Sequence, residues 1–143
     1  MDLEKMRIAE CGMRNKNRRG DYAMENKDTD LKKRTKQFAL KIIKLVEELP
    51  SNRTINILAR QLLRAGTSVG ANYRSACRAR SRADFISKMG IVEEEADETS
   101  YWLELLVESK LINKDQVEYL LEEVDEIIAI IVASINTSRK NQR

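Results

Sequence analysis

Arginines at positions 53, 60, 64, 74, 78, 80 and 82 crowd one stretch of the chain, and Lys88 follows closely. A guanidinium is a planar fork that donates to two oxygens at once, so a cluster of this density is suited to phosphate. Arg60 with Arg64, and Arg74 with Arg78, are four residues apart and share helical faces if the stretch is a helix. The chemistry would be contact with the RNA or DNA backbone, of an affinity that falls steeply with salt. A second reading follows from the next segment, which holds Glu93, Glu94, Glu95, Asp97 and Glu98. These carboxylates would neutralise the arginines within a subunit or across an interface and make the cluster structural. Tyr73 is the one aromatic residue near the cluster, and it sits in the apolar seam, so neither base stacking nor sequence-specific readout is supported.

Other chemistry is sparse. The chain contains no histidine. That removes serine–histidine and cysteine–histidine nucleophiles, histidine general bases and the usual zinc and di-iron sites. Glu95 with Glu98, and Glu94 with Asp97, have the i, i+3 spacing of di-iron bundles, yet those sites pair glutamate with histidine. The two cysteines, Cys11 and Cys77, form neither a disulfide framework nor a metal-ligand spacing. The expectation is a protein that is not an enzyme and needs no metal or cofactor.

The elements that carry these residues are helices. Only five glycines and one proline interrupt 143 residues, and 34% of the residues are charged against 42% hydrophobic, as in a bundle with ionised outer faces. Apolar residues at Leu58, Leu62, Ala65, Val69, Tyr73 and Ala76, then at Phe85, Met89, Val92, Ala96, Thr99, Leu103 and Leu106, alternate spacings of three and four. Such a pattern marks a helix packed along one seam. Four helices are predicted, at about 30–49, 52–78, 81–109 and 113–139. Asp30, Ser51 or Asn52, and Ser81 followed by Asp84, are the N-terminal caps, and Pro50 ends the first helix. Asn113 with Gln116, stapled by Ile112 and Val117, places the fourth helix start. Its inner rows are Val117, Leu120, Val124, Ile127, Ile131 and Ser134, with Leu121, Ile128 and Ile135 beside them. Short connections make the default an antiparallel up-down-up-down bundle.

Residues 1–29 show no periodicity and carry a basic cluster, Arg14, Lys16, Arg18 and Arg19, which reads as a disordered arm or as a leader preceding a start at Met24. No apolar run is long enough to cross a bilayer and the N-terminus has no secretion signal, so the expected compartment is the cytoplasm and no membrane partner is expected. Gly66 and Gly70 lie one turn apart inside the second helix, where each costs about 1 kcal/mol against alanine. The compensation expected is close approach of another helix, with Asn72 hydrogen-bonding nearby, and the pair could border a subunit boundary. Tyr101 and Trp102 add apolar surface beyond a four-helix core, of the kind that marks self-association. Charge is uneven: residues 1–90 hold 21 basic against 10 acidic groups, while residues 91–143 hold 5 against 13.

The segments SVGAN, SRADFISKMGIVEEEADET and YWLELL, in this order and spacing, resemble the small four-helix bundle proteins encoded in intervening sequences of bacterial 23S ribosomal RNA genes. The resemblance spans Thr35 to Ser138. It implies a homopentameric barrel of five bundles around a central opening. The accessory variability determinant of diversity-generating retroelements is similar in fold, and it binds nucleic acid and a partner reverse transcriptase. Carried over, the resemblance implies a nucleic-acid-binding role for Arg60, Arg64, Arg74, Arg78 and Lys88, with a reverse transcriptase or another protein as partner. The main expectation is therefore an oligomeric bundle that binds RNA or other nucleic acid. The alternative is a scaffold whose charged faces pair between subunits or with a partner protein.

Overall fold

A computed structural model describes residues 30–141; the arm expected at 1–29 lies outside them. Helix α1 spans Leu31–Glu48, α2 Arg53–Cys77, α3 Arg82–Glu108 and α4 Glu118–Lys140, with a single 3-10 turn at Lys114–Gln116 before α4. Each helix packs on its sequence neighbours, and α1 also meets α4 to close a four-helix bundle. Thr35 lies against Gly70 and Ile42 against Gly66, so α1 and α2 run antiparallel. At the other side, Arg82 at the start of α3 donates to the carbonyl of Asn141 just past α4, fixing the same sense for that pair.

The helix starts follow from local hydrogen bonds. Asp30 accepts from the Lys33 amide at 3.2 Å and Asn52 from that of Ile55 at 2.8 Å, so both satisfy orphan donors of a first turn. Ser81 accepts from the Asp84 amide at 3.0 Å, and the Asp84 carboxylate reaches back to the Arg80 amide at 3.2 Å. This box closes one residue earlier than the usual reciprocal bond. Its effect is on Asp84, whose pKa is lowered first by that backbone donor and then by the Lys88 ammonium.

The fourth helix begins differently from the expectation. Asn113 Oδ1 accepts from Asp115 two residues on, at 3.2 Å, rather than capping α4. The chain then winds tightly, with Gln116 N bonded to Asn113 O at 3.1 Å and Val117 N to Lys114 O at 3.0 Å, before the α ladder starts. Val117 serves as the N-cap of α4 with no side-chain bond, while its own side chain is wholly buried.

The core is one cluster contributed by all four helices, from Phe38 and Ile42 through Leu62, Val69, Tyr73, Met89 and Leu103 to Leu120, Val124, Ile127 and Ile131. Two expected seam positions shift. Ile55 and Ala59 are buried where Leu58 is only half-buried, and Ile135 and Ser138 replace Ser134. A straight α-helix drifts by about 20° per seven residues against a strict three-four repeat, so the buried row moves by one residue toward each helix end. Cys77 is buried at the end of α2 and is not a free thiol; Cys11 lies outside the described residues.

Candidate nucleic-acid interface

Helix α2 carries the arginines because its inner face is fully used by Ile55, Ala59, Leu62, Ala65, Val69, Tyr73 and Ala76, leaving polar residues outward. From Leu49 to Ala83 the chain has no acidic residue at all. Arg60, Arg74 and Arg78 are exposed and form no ion pair among the described residues. Arg60 and Arg74 are two heptads apart, so they share a face and lie about 21 Å apart along the helix axis.

The other expected contacts divide differently. Arg64 reaches across to α3, where Nη1 lies 3.5 Å from Glu95 and Nη2 pairs with Glu98. Glu98 also accepts from Trp102 Nε1 at 3.2 Å, and the Trp102 ring packs against Tyr101 with centroids 5.3 Å apart. Arg64, Glu98 and Trp102 are thus one strap between α2 and α3. Lys88 is paired with Asp84 at 3.2 Å, one turn earlier on α3. Arg82 is engaged at the end of α4, and Arg80 lies in the turn with its amide on Asp84. Pairing with the acidic run of α3 within the subunit is thus seen for Arg64, while Lys88 pairs with Asp84 outside that run, and Arg60, Arg74 and Arg78 stay open among the described residues.

The glycines meet α1 of the same chain. A Cβ on Gly66 would sit 3.0 Å from both Cγ1 and Cγ2 of Ile42, and one on Gly70 would sit 3.2 Å from Thr35 Oγ1. Both positions are spent on the α1–α2 contact. Asn72 is half-buried and its Nδ2 donates to Ser68 O at 2.8 Å, a bond within α2. Tyr101 is 52% exposed on α3.

Sequence spacing gave no sign of the ion pair between α1 and α4. Arg34 meets Glu123 side-on, with Nε to Oε1 at 3.0 Å and Nη2 to Oε2 at 3.1 Å, and also pairs with Glu126. The two-pronged bond to Arg34 holds the Glu123 carboxyl below its usual pKa against the opposing effect of burial, with Lys41 adding a smaller pull. The Arg34 guanidinium is raised further above its already high value, chiefly by the same bond. Where α1 turns into α2, Val46, Leu49, Pro50, Ile55, Asn56, Ala59, Arg60 and Leu63 line an open hollow of about 360 Å³. Among the described residues no cluster of histidine, cysteine or carboxylate side chains is arranged to hold a metal ion, and no helix is long and apolar enough to cross a membrane.

Fold and surface together define a small all-α bundle with a basic α1–α2 side and an acidic α3–α4 side. Residues 27–133 match the family of the 23S rRNA-intervening sequence protein, and the chain belongs to that family. A crystal structure of a protein of unknown function from the S23 ribosomal protein family of Bacteroides thetaiotaomicron VPI-5482 is similar, at 40% identity and a TM-score of 0.69. The alignment covers 73% of this chain and 97% of that one. No curated protein matches the chain.

Proposed function

We propose that the protein is a non-enzymatic, oligomeric bundle that associates with nucleic acid through the outer face of α2. The observation that supports this reading most is the set of exposed guanidiniums at Arg60, Arg74 and Arg78, unpaired among the described residues, on and at the end of a helix without a carboxylate. Elsewhere in the molecule a nearby carboxylate is taken up, as Arg34 and Arg64 take up Glu123 and Glu98. Unpaired arginines held in one row by a rigid helix are fitted to a repeating phosphate chain. Copies of the row around a pentameric ring would add their modest affinities through effective concentration.

A titration of labelled total RNA at stepped salt tests the reading. Each phosphate contact contributes about 0.7 to 0.9 to the slope of log affinity against log salt. Arg74→Ala and Arg78→Ala should each flatten that slope by roughly this amount. Arg64→Ala should leave it unchanged and cost less than about 1 kcal/mol of stability, since the Arg64 pair is exposed. Absence of binding at low salt would overturn the proposal.

A second reading has its own observation. Ile57, Ile91, Tyr101 and Tyr119 are large apolar side chains between 44% and 56% exposed on α2, α3 and α4. These suit a scaffold that binds copies of itself or another protein, and such binding would persist at high salt.

A further inference from the structure

The target of the basic surface can be narrowed from which helices supply cations and which supply rings. Lys32, Lys33 and Lys36 sit in the first turns of α1, and none of their ammonium groups is ion-paired among the described residues. Lys32 and Lys36 are four apart on the flank next to Thr35, the residue that touches Gly70 of α2. One turn beyond Gly70 stands Arg74, followed by Arg78 and Arg80. The lysines of α1 and the arginines at the end of α2 and just past it therefore form two adjacent rows, on helices whose axes lie about 8 to 10 Å apart when packed. Two further α1 cations face the other way: Arg34 is bonded to Glu123 and Glu126 of α4, and Lys41 acts on the same Glu123. Two carboxylates border the patch, and both are engaged: Asp30 is held on the Lys33 amide at 3.2 Å, and Asp84 on the Arg80 amide at 3.2 Å and the Lys88 ammonium.

Among the described residues this two-row surface has no ring to offer a base. Phe38 and Tyr73, the aromatic residues of α1 and α2, are both 0% exposed. Tyr101 and Trp102 belong to α3 and Tyr119 to α4. Proteins that hold single strands use exposed aromatic platforms, each stacked base being worth about 1 to 3 kcal/mol. A double helix asks for none of this. Its bases are already stacked and paired, and it presents two phosphate strands to a broad cationic face.

We infer that the α1–α2 face, Lys32, Lys33 and Lys36 with Arg74, Arg78 and Arg80, binds the phosphate backbones of a double helix in preference to single strands. The inference rests on the proposed nucleic-acid function and specifies its target. RNA and DNA duplexes share the backbone chemistry, and the experiment separates them.

Fluorescence anisotropy of the full chain would be measured with a labelled 20-base-pair RNA duplex, the DNA duplex of the same sequence, and the separate strands of each, at 50 and 200 mM salt. The expected result is at least tenfold tighter binding of a duplex than of its strands, lost by about a thousandfold at the higher salt if six phosphates are contacted. Whichever duplex binds more tightly identifies the source of the backbone. Single strands bound as tightly as duplexes would overturn the inference and leave the nucleic-acid function standing. No binding to any of the probes would overturn both. The triple variant K32A/K33A/K36A, checked for unchanged helical circular dichroism, should flatten the duplex salt slope by about 2 to 3. An unchanged slope in that variant would remove α1 from the surface and overturn the two-row assignment.

Discussion

Arg34 and Glu123 are 89 residues apart in the chain and meet through two parallel hydrogen bonds, with side chains only 14% and 20% exposed. Such a fork is stronger than an exposed ion pair because both groups are partly desolvated and each satisfies the other, with about 1.5 to 3 kcal/mol typical of a bond to a charged group. Arg34 stays protonated at every accessible pH, so the titration belongs to Glu123. Its folded pKa lies below the unfolded one, which means the unfolded state takes up protons first as acid is added. The stabilisation is complete above the ordinary carboxylate range and drains away as pH falls from about 4.3 through the folded value. Glu123→Gln should lower stability at pH 7 by about 1 to 2 kcal/mol, less than a full loss because Glu126 still reaches Arg34. It should also flatten the acid limb of a plot of melting temperature against pH. An acid limb as steep as that of the parent would show that the pair does not carry this pH dependence.

At the scale of elements, the helical glycines separate packing from propensity. A Cβ at Gly66 would press on Ile42, a β-branched side chain that is fully buried and has nowhere to rotate. Gly90 on α3 has nothing within 4 Å of the same position. Gly90→Ala should therefore gain about 1 kcal/mol of helix propensity, read as a rise of roughly 3 to 5 °C in melting temperature. Gly66→Ala should lose more to overpacking, about 1 to 3 kcal/mol, than it gains in propensity, and melt lower than the parent. Equal shifts in the two variants would contradict the α1–α2 packing. The same glycines show how far sequence reaches. Their cost within a helix announces a close neighbour, but only the fold shows that the neighbour is α1 of the same chain. Asp30, Asn52 and Ser81 were legible as caps because a cap is a bond across three residues. Asn113 was not, because choosing between a bond to residue i+2 and one to i+3 depends on how the chain between α3 and α4 must travel. In the candidate site, Arg64 and Arg60 look alike in sequence, and the difference between them lies in Glu98 of another helix. The lysines of α1 join the arginines of α2 only through the Thr35–Gly70 contact.

Over the whole molecule, the sign of charge changes between the two halves of the chain: residues 91–143 hold 13 acidic and 5 basic groups, while α2 has no acidic residue. Two forces could join such bundles into a ring. Opposed charged flanks would bring a basic side to the acidic side of the next copy, in a head-to-tail contact that closes if the rotation divides a circle. Apolar contact would use exposed side chains such as Ile91 and Tyr101. Exposed ion pairs are weak and screened within about 8 Å at physiological salt, so they select a neighbour better than they hold it. Burial of apolar surface at about 25 cal/mol per Å² is insensitive to that screening. If the bundle forms the proposed pentamer through apolar contact, light scattering coupled to size exclusion should give a mass about five times the 16.5 kDa chain, both at 50 mM and at 500 mM salt. Tyr101→Glu should shift the mass toward the monomer while keeping the helical circular dichroism, because Tyr101 is 52% exposed on the isolated bundle and contributes little to its own core. An assembly that forms at 50 mM and falls apart at 500 mM would make the charged flanks the adhesive. In that case a polyanion that covers the α1–α2 face would compete directly with assembly. A mass of 16.5 kDa at both salts would leave the bundle a monomer and remove avidity from the nucleic-acid proposal.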